Sequence, residues 1–272
     1  MSRNLERLGV EKKVQNIDTP QASGGLDFVI PTEFVDLPSK GLFYPEDHPL
    51  HKVDSVEIKQ MTAKEEDILT NKSFIKKGVL FDRLLSSLIM DKNIQPADLL
   101  VGDRNALILA ARISGYGEEY DTKVICPLCL NPSENKHHLE EIQPNEWQDQ
   151  LEELGVDLDE DGCFTITLPK SNLAVKVRPI NGHDEKALSK LKDSDSITGQ
   201  LKGYVVDIDG HTDKRVVGKA IDKLPARDAK YLRNLYKKVT PNLDFQQEFE
   251  CDTCGHEARL EVRLGADFFW FE

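Results

Sequence analysis

The chain has 272 residues, 39% of them hydrophobic and 31% charged, with a net charge of −13. That is enough apolar material for one large domain or two modest ones, and no run approaches the roughly 18 to 20 apolar residues of a membrane span. The acidic balance argues against nucleic acid and anionic membranes, whose binders usually present a basic face, and makes another protein the default partner.

Residues 1–25 are polar and end in Ser23-Gly24-Gly25, which predicts a flexible arm. The opening MSRNLERLGVEKKVQ is charged throughout and has no apolar stretch of a secretory signal, so the chain reads as a soluble protein of a reducing cytoplasm. Residues 26–61 hold Pro31, Pro38 and Pro45, which exclude a helix or a central strand. This segment is expected to lie extended over a surface, anchored by Phe28, Ile30, Phe34, Val35, Leu42 and Phe43, and to end in a short strand at 53–61.

Residues 62–125 carry helical signals. Thr62 and Glu65 form a capping box, in which each side chain bonds a backbone N–H at the helix start. One helix fits FIKKGVLFDRLLSSLIM, where Ile75, Leu80, Leu84 and Leu88 recur at helical steps. Beyond Pro96, Asp103 can cap a third helix through ALILAARIS, with Gly115 as its stop. The strand TKVIC then leads into the first cysteine pair.

Residues 126–272 read as mixed. A short acidic helix spans about 146–154, and strands CFTITLP and LAVKVRP join through Lys170, Ser171 and Asn172 as a hairpin. A helix at HDEKALSKLK follows, and the segment 197–222 is ambiguous between strand and helix. Helix ARDAKYLRNLYKKV places Ala229, Leu232, Leu235 and Tyr236 on one face. Its Lys230, Arg233, Lys237 and Lys238 are the nearest thing to a basic cluster and read as a solvated face. A final hairpin carries the second cysteine pair.

The cysteines carry the clearest chemistry. Cys126-Pro-Leu-Cys129 and Cys251-Asp-Thr-Cys254 are both C-x₂-C motifs after a strand-like run, a spacing that lets both sulfurs of a tight turn face one centre. Two such turns complete the tetrahedron zinc prefers, and four thiolates leave it no open position for catalysis. The expectation is one structural zinc ion on Cys126, Cys129, Cys251 and Cys254. Gly255 suits the turn after the second pair, whereas Leu130 occupies that place after the first. The 121 residues between Cys129 and Cys251 far exceed the roughly 15 to 20 of a compact ribbon, but closure entropy grows only logarithmically with length. His137, His138 and His256 are alternative ligands, and Cys163 reads as a small buried residue.

Other signals are weaker. Asp157, Asp159 and Asp161 open like a calcium loop, but the twelfth position is Leu168 rather than a bidentate Glu. Gly115-x-Gly117 precedes a strand and lacks a third glycine. No phosphate loop or nucleophile elbow occurs, so nothing argues for an enzyme. Phe268, Phe269, Trp270 and Phe271 offer either core packing or a partner-binding tail.

The order of LPSKGLFYP, TAKEEDILTN, DRNALILAARISGYGEEY into CPLC, ITLPKSNLAVKVRPI, HDEKAL and CDTCG resembles the baseplate hub and hub-assembly proteins of T-even-type contractile-tailed bacteriophages. The resemblance runs from about Phe34 to Leu264. It implies a non-enzymatic tail protein whose partners are other baseplate hub proteins and whose finer role is chaperoning the tape-measure protein. The implied locations are the host cytoplasm during assembly and the virion tail baseplate. It also implies that the four cysteines are zinc ligands. The competing class is a zinc-ribbon nucleic-acid-binding factor, which the charge disfavours. The expected fold is α+β, with a helical N-terminal half and a mixed C-terminal half tied by a split four-cysteine zinc ribbon.

Overall fold

Prolines 31, 38 and 45 punctuate the chain where the first ladder starts and stops. The computed structural model describes residues 29–190 and 196–269. Residues before 29, among them the expected arm and Phe28, lie outside these, as do Trp270 and Phe271. The chain divides between Ile30 and Pro31, and the unit Pro31–Glu272 holds every element that follows. Strand β1 (Thr32–Asp36) pairs antiparallel with β2 (Ser55–Lys59), from Thr32 opposite Lys59 to Asp36 opposite Ser55.

The anchors of this segment differ from those expected. Phe34 shares the outward face of β1 with Thr32 and Asp36, and is 72% exposed, because alternate residues of a strand point to opposite sides. Ile30 and Leu42 are also exposed. Leu37, Tyr44 and Leu50 are the buried anchors, with Val35 and Phe43 half-buried beside them. The turn between the strands is tight enough to need Gly41 (φ 69°): a Cβ there would lie 2.4 Å from the Val53 backbone nitrogen.

The capping box at Thr62 and Glu65 forms in both directions and starts α1 (Ala63–Leu69). The single helix expected at 74–90 is two, α2 (Lys72–Lys76) and α3 (Leu80–Leu88), because Gly78 turns left-handed at φ 64° between them. Helix α4 (Val101–Tyr116) begins two residues before Asp103 and ends on Gly117 (φ 86°) instead of Gly115. Gly115 lies against the terminal methyl of Met61, which would have to move aside for a Cβ at this position.

Strands β3 (Glu119–Ile125) and β4 (Pro132–His138) form the first hairpin, followed by α5 (Trp147–Leu154). An antiparallel sheet then has the order β5-β6-β7-β8, from Asp157–Leu158, Phe164–Thr167, Ala174–Val177 and Val205–Ile208. Helix α6 (Gly182–Ser189) lies against α7 (Ile197–Tyr204), and α7, α8 (Lys214–Ile221) and α9 (Ala226–Val239) pack on the sheet. The ambiguous segment is thus helix, strand, helix. Strands β9 (Gln246–Glu250) and β10 (Glu257–Glu261) close the second hairpin, and a 3-10 turn covers Ala266–Phe269. The architecture is α+β, but helices are not confined to the N-terminal half: α5 to α9 lie beyond it.

Two apolar cores organise these elements. The first gathers Leu37, Ile58, Leu84, Leu88 and Leu107, and includes Leu243, Phe245, Phe268 and Phe269 from the far end of the chain. The second lies between, around Phe164, Val175, Leu201 and Leu232, with Tyr204 stacked on Tyr236 at 3.8 Å. All four face residues expected on α9 pack there. The chain leaves the first core and re-enters it through two adjacent strands of backbone. Asn145 N–H donates to the Asn242 carbonyl (2.8 Å), Asp244 N–H to that of Gln143 (2.8 Å), and Asn242 N–H to Asn145 Oδ1 (3.0 Å). The long separation between the cysteine pairs is therefore an insertion with its own core, whose ends are tied together at its base.

Candidate metal centre

Each cysteine pair sits at the tip of a hairpin, and the two tips are built alike. In the first, Cys126 N–H donates to the Asn131 carbonyl (2.9 Å) and Leu130 N–H to that of Cys126 (3.0 Å). In the second, Cys251 N–H donates to the His256 carbonyl (3.0 Å) and Gly255 N–H to that of Cys251 (2.8 Å). The residue that closes each turn is left-handed, with φ 59° at Leu130 and 65° at Gly255. The first cysteine of each pair is buried; of the second ones, Cys129 is half-buried and Cys254 exposed.

The two tips face each other so that the four sulfurs lie within 4.8 Å of one another. Cys126 Sγ is 3.8 Å from Cys254 Sγ, and Cys129 Sγ is 3.6 Å from Cys251 Sγ. Disulfides are excluded at these distances, since that bond is about 2.05 Å long. A tetrahedron of thiolates about 2.3 Å from a central zinc has edges of about 3.8 Å. These two pairs match this edge, and the four sulfurs together could hold a metal ion.

Local dipoles prepare the site unevenly. Burial would push the Cys251 thiol up, but the N–H groups of Cys254 and Thr253 and the neighbouring sulfurs outweigh it and bring it down to about 6. At Cys254 the His256 N–H favours the thiolate, yet burial and the three sulfurs beside it prevail and push it up to about 12. Four negative sulfurs at this spacing repel one another, and a bound cation removes that conflict.

The hairpins are also fastened outside the sulfurs. Buried Ser133 donates through Oγ to Asp252 Oδ2 (2.8 Å) and accepts from Asp252 N–H (3.1 Å), while Glu134 N–H reaches the same carboxylate (3.2 Å). Phe249 fills the space beneath, with Val124, Ala258 and Leu260 against it.

With the site's geometry fixed, comparison with known proteins decides the family. The sequence model described as T4 bacteriophage base plate protein matches residues 31–270. This chain belongs to that family. No curated protein and no solved structure matches it. In this base plate protein no helix among the described residues is long and apolar enough to cross a membrane.

The other residues singled out from the sequence lie apart from the sulfurs. His137 is on β4 opposite Tyr120, with Nε2 at 2.9 Å from Thr122 Oγ1. His138 is exposed beside it, and His256 contributes its carbonyl to the second tip. Cys163 is half-buried, not fully buried, at the entry to β6. Asp159 closes its own turn by accepting the N–H groups of Asp161 and Cys163 and the Lys176 ammonium.

Two buried polar centres of the base plate protein escaped the sequence reading. Asp103 does not cap α4; its carboxylate accepts from Ser39 N–H (3.0 Å), Ser39 Oγ (2.6 Å) and the Tyr44 hydroxyl (2.7 Å). That hydroxyl in turn accepts from Leu100 N–H (3.0 Å), so the LPSKGLFYP segment wraps the start of α4. Arg112 is fully buried and donates to the carbonyls of Phe268 (3.1 Å), Gly117 (2.7 Å) and Glu119 (3.2 Å). A lone Arg inside the apolar run ALILAARIS was the available signal for it. Phe268 and Phe269 are core residues, as the simpler reading had them, and Phe268 packs edge-on against Tyr120 at 5.1 Å.

Proposed function

We propose that this base plate protein is a non-enzymatic structural or assembly component of the central hub of the phage tail. In this reading one structural zinc ion sits on Cys126, Cys129, Cys251 and Cys254. The observation that supports the zinc assignment is the convergence of four sulfurs, two from each of two matched hairpins, within 4.8 Å of one another. Zinc would join two parts of the chain separated by an entire second core, and four thiolates would leave the ion unable to accept a substrate. Binding other tail proteins is the natural task of such a scaffold, and chaperoning the tape-measure protein is the finer role proposed. The acidic charge and the family support protein partners over nucleic acid.

Two measurements test this. Elemental analysis of protein purified without chelator should give about one zinc per chain, and Cys251→Ser should lose it; under half an equivalent would overturn the shared site. Co-expression with the tape-measure protein and with hub proteins should recover a stable complex. Tight, salt-sensitive retention of DNA or RNA on a filter, with no such complex, would favour a nucleic-acid factor instead.

A further inference from the structure

Beside the metal centre, a groove of about 1030 Å³ runs between β3 and β10. Tyr120–Ile125 border it without a break on one side, and Leu260–Arg263 on the other. Side chains on one face of a strand recur at every second residue, so the unbroken run on β3 means that the groove meets this strand along an edge, while β10 borders it with its last two residues, Leu260 and Glu261. Both edges are free, because β3 pairs only with β4 and β10 only with β9 among the described residues.

The register tells which backbone groups point into the groove. Cys126 N–H bonds the Asn131 carbonyl and Leu139 N–H that of Glu118, so the even-numbered residues of β3 exchange hydrogen bonds with β4. Asp121, Lys123 and Ile125 therefore turn their N–H and C=O groups outward. On β10 the bonds from Cys251 to His256 and from Val262 to Phe245 set the same alternation, leaving those of Glu261 outward. His137 also lines the groove, its ring held at Nε2 by Thr122 Oγ1 (2.9 Å).

We propose that this groove takes an extended segment of another protein as an added strand. Outward main-chain donors and acceptors at every second residue of β3, faced across the groove by those of Glu261, are recognised by peptide backbone, the mode known as β-augmentation. The side chains of β3 set what the segment carries. Asp121, Lys123 and Ile125 are exposed at alternate positions, and directly opposed side chains in a ladder interact. The segment thus presents Lys or Arg against Asp121, Asp or Glu against Lys123, and a large apolar residue against Ile125, every second position. The apolar end is the metal end: Ile125, Leu128 and Leu130 are 68%, 67% and 73% exposed around the first cysteine tip. Strand addition here does not depend on whether the chain serves at the hub.

The test is selection of a random nonapeptide display library on the immobilised full-length chain, followed by fluorescence polarisation with the enriched peptide. The expected peptides alternate basic, acidic and apolar residues in one direction. Lys123→Pro removes an outward N–H and leaves every β3–β4 bond in place; Ile125→Asp removes the apolar contact. Each should weaken binding at least tenfold while metal content stays at one equivalent. Amide hydrogen exchange on the unaltered chain gives a reading independent of the variants: the peptide should slow exchange at Asp121, Lys123 and Ile125. Absence of enrichment, equal binding to Lys123→Pro, or protection confined to residues away from β3 and β10 would overturn the proposal.

Discussion

The two cysteine tips form an internal experiment on backbone strain. They make the same two hydrogen bonds, and the closing residue is left-handed in both, yet it is Leu130 in one and Gly255 in the other. A side chain in that conformation costs about 1–2 kcal/mol, whereas glycine costs about 0.5–1 kcal/mol in unfolded-chain freedom. Leu130 is 73% exposed, so its removal forfeits little burial. Leu130→Gly should therefore stabilise the protein by about 0.5–1 kcal/mol, a rise of roughly 1–4 °C in melting temperature for a unit of this size. The reciprocal change, Gly255→Leu, should destabilise it: nothing lies within 4 Å of the new Cβ, so the loss is conformational rather than steric. Calorimetry of both variants with metal bound reads the two signs. A lower melting temperature for Leu130→Gly, or none of the expected loss for Gly255→Leu, would refute the reasoning.

Acid stability should follow Glu65. Burial alone would raise this carboxyl, but Lys59, Ser87 and Thr62 outweigh it and hold it at about 2. Because the folded value lies below the unfolded one, the contribution is present above pH of about 4.5 and is lost as pH falls toward 2. Glu65→Gln should flatten that part of the stability–pH curve, and an unchanged acid limb would count against it. Asp252→Ala removes the carboxylate shared by Ser133 and Glu134, and chelator competition should show metal held roughly tenfold less tightly. Arg112→Met strands the buried Phe268 carbonyl and frees two part-buried ones, and should cost roughly 1–3 kcal/mol in urea unfolding. Arg112→Lys should recover little of this, since an ammonium cannot reproduce the planar fork.

How much was legible depended on the range of the interaction. Signals made within a few residues were readable: the Thr62–Glu65 box, the β6–β7 hairpin, the α9 face and the paired C-x₂-C turns. Failures came where a partner distant in sequence decided the outcome. Asp103 looks like a helix cap because its neighbours are a helix, yet Ser39 and Tyr44 claim its carboxylate from 64 and 59 positions away. The periodic pattern at 74–90 runs straight through Gly78, but its left-handed turn lets α2 and α3 both reach the first core. The cysteine cluster was visible as two motifs; the tie at Asn145 and Asn242 that brings them together was not, since it joins backbone groups and one asparagine side chain across about 97 positions.

That tie also sets an order in time. The ribosome makes Cys126 and Cys129 first, and Cys251 emerges 122 positions after Cys129. At about 5–20 residues per second, half a site waits roughly 6–25 s while the inserted core is synthesised. A chain cut short anywhere before Cys251 holds two sulfurs and no tetrahedron. A filled metal site would then act as a stamp, placed only on chains that have been made past Cys254 and whose insertion has closed at its base.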